Sequence, residues 1–456
     1  GKVCVGIRVV AMGLSESRDH RLSDKAIRKE FVLGEASYGV LWKASVRSSK
    51  AEILVKVIPK EVLFDDTNVM RNLKVERDIL TTLGNENPFI VSLAATFMTT
   101  NHCYAVMKDA VCGTLFHHLR SRPRPFSETQ VRFYAAEVIL GLKAIHQNHY
   151  IYRDLKLENV AVCGDGHIKL IDFGFTRKVS KQRPRVSSFS GSNIYISPEV
   201  LSDEGEGHTY TVDWWGLGVL LHLLLTQQAP FWSESYDNLF DLILNGKNLD
   251  FSSYHLSDSA KELLDELLVR DPRKRLGSIP PRSSVQIEWK DDEGGRGQEV
   301  RIIGKLAGPN GADFVMMHRY FKGLNWDMVL AKEMEPPVVP SAKFLQELKQ
   351  SASREQPAKR SWRPTEEEQR LLENFELDYA YNERPAEGSG GSSDAMDLPD
   401  SSGDAGSSSG GGDVQEEREK YMMAVLCRNC RQSMRVEEVD HHSVRCESEV
   451  CLVQGV

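Results

Sequence analysis

The run Tyr152-Arg-Asp-Leu-Lys-Leu-Glu-Asn159, followed by Asp172-Phe-Gly174, is the part of this sequence that decides its fold. Between the two runs, an apolar stretch, a Gly-Asp-Gly turn and a second apolar stretch predict a β-hairpin. A hairpin returns its ends to the same place, so we expect Asn159 and Asp172 to lie side by side. Their amide and carboxylate oxygens are ligands of the hard type that Mg²⁺ prefers.

Two more polar residues of the first run complete a chemically meaningful set. Asp154 supplies a carboxylate that can accept a proton, and Lys156 supplies a cation that can meet a transferring phosphoryl group. The combined pattern resembles the catalytic loop and metal-binding motif of eukaryotic protein kinases. The resemblance implies that Asp154 is the catalytic base, that Lys156 assists it, and that Asn159 and Asp172 bind Mg²⁺. The alternative is a surface loop with chance charges.

A glycine-bearing turn lies upstream, between strand-like segments. The turn Gly34-Glu-Ala-Ser-Tyr-Gly39 is similar to the glycine-rich loop of kinases, although Ala36 replaces the middle glycine. Such a loop lets backbone N–H groups approach phosphates, because glycine has no Cβ. By itself the motif is weak, and a plain hairpin turn is the alternative.

Lys56 interrupts a continuous apolar strand, where an ammonium group needs a partner. In the next predicted helix, apolar residues recur every three or four positions from residue 69 to 83, and Glu76 falls on their face. We expect the two charges to pair. The pair is either a structural salt bridge or, as the resemblance implies, the kinase pair in which the lysine holds the α- and β-phosphates and the glutamate holds the lysine.

The resemblance also implies the rest of an ATP site. The segment from Met107 to Val111 resembles the hinge that meets adenine. Far downstream, Asn374-Phe-Glu376 resembles a motif whose phenylalanine completes the adenine pocket, with Glu in place of the family's Asp. The implied ATP-binding residues are Gly34, Gly39, Leu41, Lys56, Met107, Ala110 and Phe375.

The kinase resemblance narrows to one family. The Tyr-Arg-Asp form of the catalytic motif, the Asp-Phe-Gly-Phe sequence at 172–175 and the segment 321–340 resemble the AGC serine/threonine kinases. This implies an α+β, bilobal protein-kinase fold: a β-rich small lobe, a mainly helical large lobe and an AGC-type C-terminal tail. ATP and Mg²⁺ are the implied cofactors, and protein Ser/Thr hydroxyls the acceptors. The rival hypothesis, a pseudokinase or scaffold that binds ATP or partners without turnover, would need the loss of Lys56, Asp154 or Asp172, and all three are present.

Phosphorylation is predicted to control the enzyme. Ser188 occupies the family's activation-loop phosphosite. Arg153 and Arg177 match the positions that receive the phosphate, through charge-assisted bonds that order the loop. The resemblance therefore implies an upstream activating kinase as a partner.

Two further positions are predicted to be structural. Asp213 opens an almost entirely apolar helix and is expected to bind backbone N–H groups of the catalytic loop. Arg275 resembles the arginine that pairs with the glutamate of the Ala-Pro-Glu motif, which here reads Ser197-Pro-Glu199.

The predicted substrate preference departs from the family. AGC kinases usually select arginines before the phosphosite with acidic residues at three positions. Glu158 matches the first of these, but Thr114 and Leu223 occupy the other two. We therefore expect a weak demand for arginine two and three positions upstream of the acceptor.

The resemblance implies the boundaries up to residue 381, and a shift in composition marks those beyond it, which gives six predicted segments. They are an N-terminal segment (1–30), the small lobe and hinge (31–110), the large lobe (111–321) with a hairpin insertion at 278–310, an AGC-type tail (322–381), a disordered Gly/Ser/Asp-rich linker (382–413) and a Cys-rich tail (414–456).

The composition predicts an intracellular protein. Charged residues make up 27% and hydrophobic ones 41% of the chain, which is ordinary for a soluble protein. The net charge of -8 gives no reason to propose nucleic-acid binding. No apolar run reaches transmembrane length, and no signal peptide is recognisable. We expect protein substrates as partners, no nucleic acid, no membrane span, and a cytoplasmic location with the nucleus left open.

Four cysteines near the C-terminus form two pairs. Cys427 and Cys430 have the spacing of zinc ligands, while Cys446 and Cys451 are farther apart than in the commonest zinc ribbons. A structural Zn²⁺ site, free thiols and a disordered tail are the alternatives.

Overall fold

A computed structural model describes residues 23–64, 68–179, 193–202, 207–278 and 311–352, and the backbone of a few short strands beyond them. The chain divides into two units, residues 1–387 and 388–456, and each is described by itself. Several predicted functional residues lie outside the described residues: Ser188, Phe375, Cys427, Cys430, Cys446 and Cys451.

The first part of the larger unit is a twisted antiparallel sheet with one long helix. Its elements are β1 (Ile27–Ala36), β2 (Gly39–Val46), β3 (Glu52–Pro59), α1 (Val69–Glu86), β4 (Leu93–Met98) and β5 (His102–Met107). The strand order is β1-β2-β3-β5-β4. This is the β-rich small lobe. Its first strand begins at Ile27, before the predicted boundary at Phe31, because Ile27 is buried in the sheet core, whereas the three charged residues that follow it conceal the strand pattern.

The β1–β2 hairpin stays paired up to its tip. Ala36 lies opposite Gly39, so Ser37 and Tyr38 alone form the turn. Tyr38 has a φ of 65°, in the left-handed region that bulky side chains rarely adopt. Gly39 lies so close to β3 that a Cβ there would be 2.3 Å from the carbonyl oxygen of Val57. Only glycine fits at that position.

The remainder of the larger unit is mainly helical. Its elements are β6 (Val111–Thr114), α2 (Leu115–Arg120), α3 (Glu128–Gln147), β7 (Tyr150–Ile151), β8 (Val160–Cys163), β9 (Ile168–Leu170), β10 (Arg177–Lys178), α4 (Pro198–Leu201), α5 (Thr211–Thr226), α6 (Tyr236–Asn245), α7 (Asp258–Leu267), β11 (Glu288–Trp289), β12 (Val300–Arg301), α8 (Ala312–Met317), α9 (Trp326–Leu330) and α10 (Ala342–Ala352). The α+β, bilobal fold predicted from the sequence is therefore present.

Two central helices organise this large lobe. α3 begins with a capping box, in which the Ser127 N–H donates to Gln130 Oε1 and the Gln130 N–H donates to Ser127 Oγ. Every residue of α5 is buried, as its nearly all-apolar sequence predicts. These helices form the support on which the catalytic loop rests.

Short strands carry the loops of the cleft. β8 and β9 pair antiparallel, Val160 opposite Leu170, and form the predicted hairpin between Asn159 and Asp172. In the segment that the sequence marks as an insertion, β11 pairs antiparallel with β12.

The segment after α9 contacts the β8–β9 turn and the start of the large lobe. Lys332 forms a 2.5 Å salt bridge with Asp165, in the β8–β9 turn. Farther on, α10 places the Phe344 ring 4.1 Å from that of His118, measured between centroids. Leu348 of α10 is buried, and it packs with Phe344 around Gly113.

The smaller unit contains a three-stranded antiparallel sheet. Its strands are β13 (Ala424–Leu426), β14 (Ser433–Arg435) and β15 (Gln454–Gly455), in the order β14-β13-β15. Across the described part of the chain, no helix combines the length and the apolar character needed to cross a lipid bilayer.

Candidate active site

Lys56 lies at the centre of a charged network that joins the two lobes. Its ammonium group donates to both oxygens of Glu76, at 2.8 and 2.9 Å, and to Asp172 Oδ1 at 2.8 Å. Glu76 comes from the apolar face of α1, and Asp172 follows β9. The Phe173 N–H also donates to Glu76, at 3.3 Å. The predicted Lys56–Glu76 pair is thus present, and it extends to a third charge.

Burial and mutual attraction set the protonation of this network. Burial alone would lower the pKa of Lys56, but Asp172 and Glu76 outweigh it and raise that pKa. Burial would raise the pKa of Asp172, but Lys56 holds it below its ordinary value. Burial, together with the nearby charge of Asp172, raises the pKa of Glu76, because two carboxylates share one ammonium. At neutral pH Lys56 is therefore charged and Asp172 ionised.

The catalytic loop positions a second cluster around Asp154. Asp154 Oδ2 accepts hydrogen bonds from Asn159 Nδ2 at 2.7 Å and from Lys156 Nζ at 2.8 Å. Asn159 Nδ2 also donates to the backbone oxygen of Asp154. The Ile171 N–H donates to the Asn159 carbonyl at 3.0 Å, which places Asn159 beside the residue preceding Asp172. The sequence-predicted base, cation and amide therefore converge.

The residues present fit a bound Mg²⁺ ion. Asn159 uses its amide nitrogen for both bonds to Asp154, so Oδ1 is the atom that a metal ion would meet. Asp172 is ionised, and together the two residues offer hard oxygen donors of the type Mg²⁺ takes. Among the described residues, no group of three or more His, Cys, Asp or Glu side chains forms a metal site of another kind.

Asp213 supports the catalytic loop from below. Its carboxylate accepts from the N–H groups of Tyr152 and Arg153, at 2.9 and 2.7 Å, as the sequence predicts. His146 Nε2 lies 2.6 Å from Asp213 Oδ2. These bonds hold Arg153 in a left-handed conformation with a φ of 72°. His146 was not predicted; its only sequence signal is a polar residue at the end of the apolar face of α3.

The predicted Glu199–Arg275 pair joins α4 to the segment after α7 in the large lobe. Arg275 is 1% exposed, and its two terminal nitrogens donate to the two oxygens of Glu199 at 2.5 and 2.8 Å. Three backbone carbonyls, those of Thr211, Val269 and Arg270, accept its remaining donors. Such a bidentate, fully bonded pair fixes the C-terminal end of the activation segment to α5.

The predicted adenine-side residues lie around the strands next to Lys56. Leu41 is opposite Gly34 on β1 and opposite Lys56 on β3, while Met107 ends β5 alongside β3. Leu41 and Met107 are buried, whereas Ala110 is exposed in the hinge. Leu41 therefore lies on the strand next to Lys56, and Met107 lies where β5 ends and the hinge begins.

A second buried lysine ties β2 to the hinge. Lys43 is 4% exposed, and its ammonium donates to Glu52 Oε2 at 2.7 Å and to the carbonyl of Val111 at 2.9 Å. Lys43 was not among the predicted residues, although a lysine facing inward from a strand is a recognisable signal.

The tip of the glycine-rich turn contacts the metal-binding carboxylate. The N–H and Oγ–H groups of Ser37 donate to Asp172 Oδ2, at 2.6 and 3.0 Å. Nothing in the sequence identifies Ser37 as a partner of Asp172. Arg177 pairs with Ile151, two residues before Arg153, and burial together with the charge of Arg177 lowers the pKa of Arg153 to about 9.

Comparison with known proteins agrees with this geometry. Residues 27–289, more than half of the chain, match the protein kinase domain family, and the chain belongs to that family. It is 34% identical over 310 residues to protein kinase C-like 2 of Schizosaccharomyces pombe, 33% over 309 to RAC-beta serine/threonine-protein kinase A of Xenopus laevis, and 33% over 314 to human protein kinase C delta type. Relatives with these names are AGC kinases.

These similarities cover only part of each relative. Each alignment includes 68% of this chain. The same alignments include 27% of the S. pombe protein, 56% of the X. laevis protein and 40% of the human protein. This chain therefore spans between about a quarter and just over half of the length of these relatives.

Proposed function

We propose that this protein is an ATP-dependent serine/threonine kinase that transfers the γ-phosphate of Mg-ATP to protein hydroxyls. The observation that carries the proposal is the convergence of Lys56, Asp172, Asp154 and Asn159 between the two lobes of a kinase fold. The pseudokinase alternative would require one of the charged residues of this set to be absent, and none is.

The residues divide the work as follows. When bound, Mg-ATP supplies the phosphoryl group and the metal charge that neutralises it. Lys56 orients the phosphates while Glu76 holds Lys56 in place. Asp154 accepts the proton of the attacking hydroxyl, and Lys156, 2.8 Å away, supplies positive charge next to it.

The direct test is a phosphotransfer assay. Purified full-length chain is incubated with labelled ATP, Mg²⁺ and an arrayed peptide library with Ser, Thr or Tyr acceptors. We expect labelled serine and threonine peptides. Transfer to no peptide, by protein that still binds Mg-ATP, would favour the pseudokinase.

Activation by phosphorylation at Ser188 is a second part of the proposal. The pairing of Arg177 with Ile151, two residues before Arg153, supports it, since a phosphate between two guanidinium groups gains charge-assisted bonds. We expect Ser188→Ala to lower activity by about tenfold or more, because such bonds contribute ~1.5–3 kcal/mol each. Ser187→Ala, which removes the preceding hydroxyl, is the matched control and is expected to leave activity unchanged. Active protein that mass spectrometry shows unmodified at Ser188 would contradict the proposal.

The substrate class we propose is a Ser/Thr peptide with little basic requirement. Thr114 is buried and its hydroxyl lies 2.8 Å from His117 Nδ1, while Leu223 is buried in α5. Glu158 is the one carboxylate of the family's three positions. A library in which arginine is strictly required at both the second and third upstream positions would contradict this.

For the C-terminal unit we propose a structural Zn²⁺ site built from Cys427, Cys430, Cys446 and Cys451. β13 ends one residue before Cys427, and its pairing of Leu426 with Gln454 puts that end beside the start of β15. Metal analysis of the full-length chain is expected to give about one zinc per molecule, lost on replacing Cys427 and Cys430 by serine. A protein that contains no zinc would indicate that these four cysteines are free thiols.

We also propose a cytoplasmic location, with the nucleus as a second compartment to be tested. The described cysteines, Cys103, Cys112 and Cys163, are buried free thiols, as is usual in reducing compartments. Imaging of the tagged protein tests this location, and a signal in the secretory pathway would contradict the proposal.

A further inference from the structure

The tip of the glycine-rich turn is bound inside the cleft by Asp172. Ser37 is 8% exposed, and two of its hydrogen-bond donors meet the same carboxylate oxygen, Oδ2. The other oxygen, Oδ1, accepts from Lys56. Both oxygens of the proposed metal ligand are therefore engaged by donors of the protein itself.

The neighbouring residue anchors the tip to the helix that carries Glu76. Tyr38 Oη accepts a 2.7 Å hydrogen bond from Asn72 Nδ2, and Asn72 is 2% exposed. Asn72 lies one helical turn before Glu76 on the same face of α1. The Tyr38 ring also lies 6.1 Å from the ring of Phe175, which follows the Asp-Phe-Gly motif.

The backbone of Tyr38 indicates that these contacts hold the tip in place. Its φ of 65° is unfavourable for an aromatic residue, and such conformations persist only where surrounding contacts determine them. Ala36, in place of the family's middle glycine, is paired with Gly39 and leaves only two residues in the turn. The paired hairpin therefore extends directly into the docked tip.

The surface that receives the tip is shaped for it. A Cβ at Gly174 would lie 2.4 Å from the Cβ of Ser37 and 3.2 Å from the ring of Tyr38. A glycine at this position therefore allows the serine side chain to reach Asp172.

We propose that Ser37 and Tyr38 form a self-inhibitory latch that competes with the metal–nucleotide complex for Asp172. An N–H and an O–H group pointing at Oδ2 place positive hydrogen where a metal ion would have to bind. Release of the tip frees this oxygen, and because Tyr38 is tied to α1 through Asn72, the latch also couples nucleotide binding to the helix that carries Glu76. The inhibitory role rests on the proposed function of Asp172, whereas the docked tip does not.

The latch can be weakened without changing the shape of the cleft. Tyr38→Phe keeps the ring and removes the bond to Asn72, and Asn72→Ala removes the same bond from the other side. Because one hydrogen bond is released, each variant is expected to bind Mg-ADP about threefold to tenfold more tightly than the natural chain. The double variant is expected to gain no more than either single one, since both remove the same interaction.

Two measurements on the full-length chain test the latch. Calorimetry gives the Mg-ADP dissociation constant, and amide hydrogen exchange in the absence of nucleotide reports on the segment 36–39, where the Ser37 N–H is protected only while it donates to Asp172. We expect faster exchange in this segment for Tyr38→Phe and Asn72→Ala. Tyr236→Phe, in α6 of the large lobe, is the matched control and is expected to change neither quantity.

The two possible failures can be told apart. Equal exchange at 36–39 and equal Mg-ADP affinity in the natural chain and in Tyr38→Phe would overturn the latch. If neither protein bound Mg-ADP, the proposed kinase function would fail, and the exchange result would still decide whether the tip is docked.

Discussion

Two buried aspartates of the catalytic region are held in opposite ways. Asp213, 1% exposed, accepts from two backbone N–H groups and contacts His146, all within the large lobe. Asp172, 7% exposed, accepts from Lys56 and Ser37, both in the small lobe. The first carboxylate has its partners in its own lobe, whereas Lys56 and Ser37 reach the second from across the cleft.

This difference indicates a structural role for Asp213 and a ligand-binding role for Asp172. Removing a buried acceptor leaves its backbone donors without a hydrogen-bond partner, and this lowers the stability of the folded state. Removing Asp172 leaves Lys56 still paired with Glu76, so the charge network survives. We therefore expect the loss of Asp213 to appear in stability and the loss of Asp172 to appear in ligand binding.

The largest expected effect is on catalysis. Asp154→Asn is expected to lower phosphotransfer by roughly 10²–10⁴-fold, the range of a lost general base, while ATP binding is retained. Asp172→Ala is expected to abolish Mg²⁺-dependent nucleotide binding as well. Steady-state kinetics and calorimetry check both variants, and wild-type turnover in Asp154→Asn would contradict the proposed mechanism.

The second effect is on folding. Asp213→Ala is expected to lower the free energy of unfolding by about 1–3 kcal/mol for each of the backbone donors it strands. Asp172→Ala is expected to cost less, because it removes one short backbone hydrogen bond, that from the Ser37 N–H, instead of two, and Lys56 keeps Glu76 as a partner. Denaturant unfolding of both variants measures the two losses. A larger loss for Asp172→Ala would contradict the assignment of a structural role to Asp213 and a ligand-binding role to Asp172.

The third effect is on the Michaelis constant for ATP, and it tests whether Phe375 belongs to the ATP site. If Phe375 completes the adenine pocket, Phe375→Ala should raise the Michaelis constant for ATP by roughly threefold to tenfold through lost apolar burial, and leave that for peptide almost unchanged. Met328→Ala, which truncates an exposed side chain of α9, serves as the comparison. An unchanged constant for ATP in Phe375→Ala would confine the site to the two lobes.

The smallest effect is a pH dependence of the stability, and it arises from His117 in the large lobe. Burial, with the neighbouring charges of His118 and Arg120, lowers the pKa of His117 to about 4. The Nδ1 atom of His117 accepts from the Thr114 N–H in the capping box of α2, so it must be unprotonated. Between pH ~6.5 and ~4 the unfolded chain binds the extra proton, and stability falls as the pH falls through this window.

His117→Gln separates this contribution from the others. Glutamine keeps a capping-box acceptor but does not titrate. Thermal unfolding followed from pH 7 to pH 4 should therefore show a shallower acid dependence in His117→Gln than in the natural chain. Identical curves would show that His117 does not contribute.

Much of the scaffold and of the charged network could be predicted from the sequence. A lysine in an apolar strand and a glutamate on an apolar helix face predict each other, because neither charge can be buried alone. The hairpin between Asn159 and Asp172 follows from its turn and strand lengths, and the position of Asp213 from the apolar helix it opens.

What the sequence does not predict are the contacts between distant polar residues with no periodic pattern. Ser37 and Asp172 are 135 residues apart, and nothing local to either one indicates the other. Asn72 is a partial exception, since a polar residue on the apolar face of α1 indicates some buried partner, although not Tyr38. The same limit applies to Lys43, whose partner on Val111 is a backbone carbonyl and therefore carries no side-chain signal.

The bond between Lys43 and Val111 ties the small-lobe sheet to the first strand of the large lobe. The residues just before Val111 are bonded to the large lobe as well: the Gly164 N–H donates to the carbonyl of Ala110, and Asp109 forms a 3.1 Å salt bridge with Lys169. Two residues after Val111, Gly113 has a φ of 92° and lies against Phe344 and Leu348 of α10. The chain that connects the lobes is therefore bonded to both of them and covered by the tail helix, which makes it a braced joint and not a free linker.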